Sequence, residues 1–251
     1  ALSIVLLYAQ TIAIIVVAVN LGWWAWPIAF ILMGRAHAQF AAMMHEAAHR
    51  LLFTNKKWND AVGRWALGYI GLVSTDAYRR VHMAHHRREF GPEEPDLPLY
   101  QGYPVSKESM RRKLIRDATG QTGFRLLKSQ FAPGRWKNPR QRKVLSSMIA
   151  VHSVLFAASI LAGQPLVYPL LWILPFLTLW RVINRLRSIA EHGGLAASSD
   201  RRITTHCVRM DPITRFFIAP YQLGYHLAHH VDSGVPFRSL PKYHRALKES
   251  G

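Results

Sequence analysis

Cysteine is almost missing from this chain. Cys207 stands alone among 251 residues, which excludes an internal disulfide framework and any metal site built on several thiolates. If a metal is bound, histidine and carboxylate must supply its ligands, and the lone thiol is expected to be buried or inert. Acid is scarce as well: 14 Asp and Glu stand against 32 Lys and Arg, a formal net charge of +18. So basic a balance ordinarily raises nucleic-acid binding. Here the basic segments alternate with long uncharged apolar runs, and no platform of interleaved basic and aromatic residues is visible, so no nucleic-acid partner is expected. Membrane topology explains the pattern better, with a dispersed basic face toward anionic lipid headgroups.

Apolar residues are what the chain has in quantity, half of the total. Leu2 to Val19 is uncharged, and Trp23 to Met44 is a second apolar run opened by Trp23, Trp24 and Trp26, which read as interface anchors. Val144 to Ala162 and Pro165 to Ile183 form another pair, separated only by Gly163 and Gln164. Each run can cross a hydrocarbon core of about 30 Å. The expected fold is therefore all-α and integral to a membrane, a single domain over 1–251 with four transmembrane helices in two hairpins. The first run lacks a basic flank or a small-residue cleavage site, so it reads as a span and not a removed leader.

The basic residues orient these spans. Twenty of the 32 lie between Arg50 and Lys143, 11 lie from Arg181 onward, and Arg35 sits alone inside an apolar run. By the positive-inside rule, 45–143 and 184–251 form a cytoplasmic cap, with both hairpin tips on the far side. A multi-pass protein of a bacterial inner membrane is the expected setting. Arg35 is expensive where it stands; it must pair internally, line a polar pocket, or show that the second run is placed too deep. Ala61 to Ser74 is apolar but too short to span, and it is expected along the interface as an amphipathic or re-entrant helix, as is Ile213 to Leu227. The Pro- and acid-rich loop Phe90 to Pro104 stops any helix before it. Ser106 should cap a basic helix reaching Arg116.

Within this frame eight histidines form three clusters: His45 and His49 in HEAAH, His82, His85 and His86 in HMAHH, and His226, His229 and His230 in HLAHH. On a helix, positions i and i+4 lie about 40° apart in projection and i and i+3 about 60°, so each cluster aims its imidazoles one way. Eight exceed what one tetrahedral zinc needs, and three boxes facing one compartment suit two metal ions between helices. Imidazole alone does not name the metal. A ninth candidate, His192 in AEHGG, lies about nine residues, or about 13 Å of helix, past Ile183, which hangs it beside the boxes. Glu46 and Glu191 adjoin these histidines and are expected to orient an imidazole more than to touch metal. His37, His152, His206 and His244 stand alone and are left outside the set.

This pattern resembles the membrane fatty acid desaturase and hydroxylase superfamily: HxxxH, HxxHH and a distal HxxHH in that order, a hairpin in the long gap, and a tail HHVDSGVPFRSLPKYH similar to the family's ending. The resemblance covers Met33 to His244. It implies a di-iron centre with His45, His49, His82, His85, His86, His192, His226, His229 and His230 as ligands and no catalytic residues beyond them. It departs at Asp232, Ser233 and Gly234, where relatives often have proline, and at Ser188, where some acyl-CoA desaturases carry an asparagine that holds water on a metal.

The implied activity is O2-dependent desaturation of a fatty acyl chain carried on coenzyme A, acyl carrier protein or a phospholipid. Hydroxylation of a lipid, alkane or carotenoid is the alternative, because the same ligands serve both. No GxGxxG element or cytochrome b5-type segment occurs, so electrons must come from a separate protein such as a ferredoxin with its reductase. HEAAH also fits the HExxH signature of zinc proteases. That rival leaves two boxes unexplained.

Overall fold

The structure, a computed structural model, describes residues 1–250. Every regular element among them is helical. Helix α1 (Leu2–Leu21) and helix α2 (Trp26–Ala48) pack together as the first hairpin. Pro27 lies in the opening turn of α2, where a missing N–H is harmless. Leu2, Val5, Leu6, Ile12 and Val16 of α1 are exposed, while Ile4 and Leu7 pack inward against α2, whose Met33, Phe40 and Met43 form the core.

Helix α3 (Lys56–Val62) starts at Asn55, whose side chain accepts from the amides of Lys57 and Trp58, and continues into a π-helical turn over Gly63–Gly68. A Cβ at Gly63 would stand 2.8 Å from the Ala47 Cβ, so glycine permits this close crossing beneath the first box. Helix α4 (Thr75–Arg88) is capped by Ser74 and carries the second box. Helices α5 (Leu97–Tyr100), α6 (Lys107–Ala118), α7 (Gln121–Gln130) and α8 (Pro133–Trp136) then carry the chain to α9 (Pro139–Leu161). The Ser106 side chain accepts from the Ser109 amide, the expected cap.

After a π-helical turn over Tyr168–Ile173 come α10 (Leu174–Leu177) and α11 (Leu179–His192), separated by a kink at Thr178 with φ −116 and ψ −87. Short helices α12 (Arg201–Thr204) and α13 (His226–Val231) bring in the third box, and α14 (Leu240–Glu249) closes the chain.

Two helices, α1 and α9, are long and apolar enough to cross a membrane. The other two expected runs differ in kind. Arg35, His37 and Gln39 interrupt the apolar character of α2, most of whose length is buried. The run Pro165 to Ile183 is not one helix but a column broken at Thr178, where the Thr178 hydroxyl donates to the Leu174 carbonyl at 2.6 Å.

Arg35 pairs internally. Its Nε donates to the Phe216 carbonyl at 2.9 Å, its Nη1 to Gln39 Oε1 at 2.9 Å, and its guanidinium lies 4.0 Å from the Phe216 ring centroid.

Two expected interfacial helices are corrected. Ala61 to Ser74 loses helical structure after Gly68, and Leu72 takes φ 55. Ile213 to Leu227 is a π-helical turn over Thr214–Ile218 and a tight turn at Pro220–Gln222, with Tyr221 at φ 54 and Gln222 at φ 65. Pro220 lacks the N–H that a continuous helix would need. Cys207 is exposed, which corrects the buried alternative of the expected buried or inert thiol.

Candidate metal centre

Four helix ends meet at one pole of the molecule. The C-terminal turns of α2, α4 and α11 bring His45 and His49, then His82, His85 and His86, then His192. α13, one and a half turns long, presents His226, His229 and His230 across from them. The helix period aims each set inward, and all but His49 are buried.

All nine histidines singled out from the sequence come together, and they divide. His45, His49, His82, His86 and His229 place one nitrogen each within 4.8 Å of one another, and His85, His192, His226 and His230 do the same beside them. The second box contributes to both groups, and so does the third. The spacing within each group is that of ligands. His86 Nε2 lies 3.1 Å from both His82 Nε2 and His229 Nε2, and His226 Nε2 lies 3.0 Å from both His192 Nε2 and His230 Nε2.

An imidazole nitrogen has either one proton or one in-plane lone pair, so neither hub can serve two partners well by hydrogen bonding. A cation explains the clustering: metal–nitrogen bonds of about 2.1 Å at right angles put neighbouring nitrogens about 3.0 Å apart. His45 Nε2 and His49 Nε2 are buried with no hydrogen-bond partner, as a ligand nitrogen facing a metal position would be. The donor set fits two transition-metal ions.

Three of the remote nitrogens are held from behind, while the Nδ1 atoms of His45, His226 and His229 have no hydrogen-bond partner. His85 Nδ1 donates to Glu94 and His230 Nδ1 to Glu89, while His192 Nδ1 donates to the Thr204 carbonyl at 2.9 Å. A proton fixed on Nδ1 leaves the Nε2 lone pair pointing into the cluster. Glu89 is steadied in turn by Arg201 Nη1 at 2.6 Å and by the Thr205 hydroxyl at 3.3 Å, and Glu94 by the Tyr100 hydroxyl.

Sequence reasoning missed Glu89, Glu94 and Thr204. The available signal was the crowding of Glu89, Glu93, Glu94 and Asp96 directly after the second box in a chain with 14 acids. Glu46 and Glu191 lie 3.7 Å from the Nδ1 atoms of His45 and His226, too far for a hydrogen bond. Glu46 accepts instead from the Phe237 amide, and Glu191 pairs with Arg187.

Burial sets the protonation of the cluster. It lowers His49 to about 4 and His192 to about 3, and the imidazoles of His82, His226, His229 and His230 are pushed well below the usual range by burial and by one another. Neutral imidazole is the ligating form.

The histidines left outside the set stay outside it. His37 Nε2 donates to the Trp172 carbonyl at 2.9 Å, and both nitrogens of His152 are engaged, by the Tyr168 hydroxyl and the Tyr69 carbonyl. His206 meets the Gly193 carbonyl, and His244 lies 4.0 Å from Cys207 Sγ. Ser188 donates to the Asn184 carbonyl at 2.9 Å. A protease reading of HEAAH fits poorly, because His45 and His49 join three further histidines where a catalytic zinc keeps an open position.

One cavity adjoins the cluster and a second lies next to the first. The first, about 130 Å³, is walled by His45, His82, His85, His192 and His226 on the cluster side; the second, about 170 Å³, extends between α2, α4 and α11 past Phe40, Phe176 and Trp180. Tyr78, Asn184 and Arg187 line both.

Comparison with known proteins agrees with this geometry. The family model described as fatty acid desaturase matches residues 21–250. A dihydrorhizobitoxine desaturase of Bradyrhizobium elkanii is 26% identical over 250 residues, covering 94% of this chain and 71% of that protein.

Proposed function

We propose, from the premise that this chain belongs to the fatty acid desaturase family, that it is a membrane di-iron oxidoreductase that desaturates an acyl chain using dioxygen and two electrons. The observation that carries the reading is the division of nine clustered histidines into a group of five and a group of four. Such an iron pair would supply an O2-dependent oxidant able to take hydrogen from an unactivated C–H bond.

The chain's own residues do the rest. Glu89, Glu94 and the Thr204 carbonyl hold the Nδ1 protons of His230, His85 and His192 and so keep the inner lone pairs of those three free. The two cavities, which share Tyr78 and Asn184 in their walls, offer a substrate a path toward the cluster. Four spans support this arrangement: α1 and α9 facing lipid, with α2 and the broken column ending in α11 between them as the two helices that carry ligands down from the membrane. Electrons come from a separate acidic carrier such as a ferredoxin, attracted by the basic cap.

The name of the Bradyrhizobium relative supports desaturation over hydroxylation. Lipid and small-acid profiling of cells expressing the protein, against a His86→Ala control, tests the reading. A double bond present only with the intact chain is expected. A new hydroxyl would make it a hydroxylase, and one zinc per purified chain in place of two irons would overturn the di-iron centre.

A further inference from the structure

Helix α11 carries three arginines along the wall of the cavities or behind it, and two of them are neutralised. Arg185 makes a two-pronged contact with Asp117, and Arg187 Nε lies 3.3 Å from Glu191. Arg181 has no ion-pair partner among the described residues. Its Nε is buried without a hydrogen bond, its guanidinium lies 4.2 Å from the Phe176 ring centroid, and it lines the cavity between α2 and α11. A guanidinium presents five donors in a planar fork shaped for carboxylate. A guanidinium largely buried at a cavity wall and left without an ion-pair partner is costly unless an anion joins it.

Position along the helix says which anion fits. Arg181 lies eleven residues before His192, about 16 Å of helix, and the shared wall at Asn184 and Arg187 falls between them. A molecule filling both cavities has one end at Arg181 and its other end beside the histidines. An acyl tail threaded past the cluster would press its methyl end against a guanidinium that has no ion-pair partner, with His37 beside it, which is poor solvation for both.

We propose that Arg181 is a substrate-anchoring residue and that the substrate is an amphiphile bearing a free carboxylate, bound at the end remote from the carbon to be oxidised. A thioester-linked or ester-linked chain offers no such group. The proposal rests on the desaturase reading only for what happens at the histidine end.

The test is equilibrium binding of dodecanoate and of methyl dodecanoate to iron-loaded protein in nanodiscs of neutral phosphatidylcholine, for the native chain, Arg181→Gln and Arg181→Lys. Iron content serves as the check that each variant is folded. The native chain is expected to bind the acid at least about tenfold tighter than the ester. Arg181→Gln should erase that preference, and Arg181→Lys should restore part of it through charge without the fork. Equal binding of acid and ester, or a preference that survives Arg181→Gln, overturns the proposal. So does loss of the preference in nanodiscs containing anionic phosphatidylglycerol, which would assign Arg181 to a lipid headgroup. Acid-selective binding with no double bond formed would sink the desaturase reading and leave the carboxylate site standing. Equal desaturation of lipid-bound acyl chains by the native chain and Arg181→Gln would do the reverse.

Discussion

Glu89 and Glu94 show how much a metal site depends on groups that never need touch the metal. Each receives an Nδ1 proton from a histidine of a different box, and each is locked by a further side chain. Exchanging either for glutamine keeps size but replaces a charged acceptor by a weaker amide. Glu89→Gln and Glu94→Gln should each lower metal affinity by about 10- to 100-fold, read as iron retained per chain during dialysis against a chelator. His49 and His192 give a second prediction. Burial lowers them from 6.5 to about 4 and about 3, so between those values and about 6.5 the unfolded chain takes up protons that the folded chain refuses. The metal-free protein should keep its full stability above about pH 6.5 and lose it progressively as pH falls toward 4, in thermal melts at constant ionic strength. A flat profile would mean these imidazoles are solvated. At this scale the histidines were legible because helical spacing of a rare residue type leaves few other readings. Glu89 and Glu94 were not, since the loop that carries them is positioned by tertiary contacts such as Arg201 to Glu89, 112 positions apart in the chain.

At the scale of elements, local chemistry was readable where a side chain meets its own backbone. The Ser106 cap, the stop after α4 and the turn at Gly163 needed no tertiary information. The kink at Thr178 was hidden, because an apolar run long enough to span looks the same whether straight or broken. The structure suggests what holds the bend in place. A Cβ at Gly123 of α7 would lie 2.7 Å from Leu177 Cα and 2.8 Å from its carbonyl carbon, so α7 packs directly on the backbone at the end of α10. Backbone cannot swing aside as a flexible side chain can. Gly123→Ala should therefore cost about 1–3 kcal/mol in chemical denaturation. It should also reduce turnover, because the same bend sets the direction in which α11 delivers Arg181 to the cavity and His192 to the cluster. Unchanged stability would show that α7 shifts freely, and the kink would then need another cause.

For the whole molecule, the distribution of charge and the location of the site make one statement about orientation. Apart from Arg35, which is satisfied internally, and Arg181, two residues before the end of the fourth apolar run, every basic residue lies in the two segments expected on one side of the membrane, and the nine histidines gather from those segments into one cluster. A chain that placed either large basic segment on the opposite face could not assemble that cluster, because His82 and His229 would be a bilayer apart. The requirement is thus stronger than the statistical rule that first set the topology. The lone thiol makes it measurable. Cys207 is exposed and lies between α12 and α13, in the second of the two segments proposed to face the cytoplasm. A charged maleimide that cannot cross the bilayer should label Cys207 in inverted membrane vesicles and leave it untouched in right-side-out spheroplasts, with a Cys207→Ser chain as the blank. Labelling of intact spheroplasts would put the third box outside, and with the metal cluster intact the orientation of the whole chain would have to be inverted.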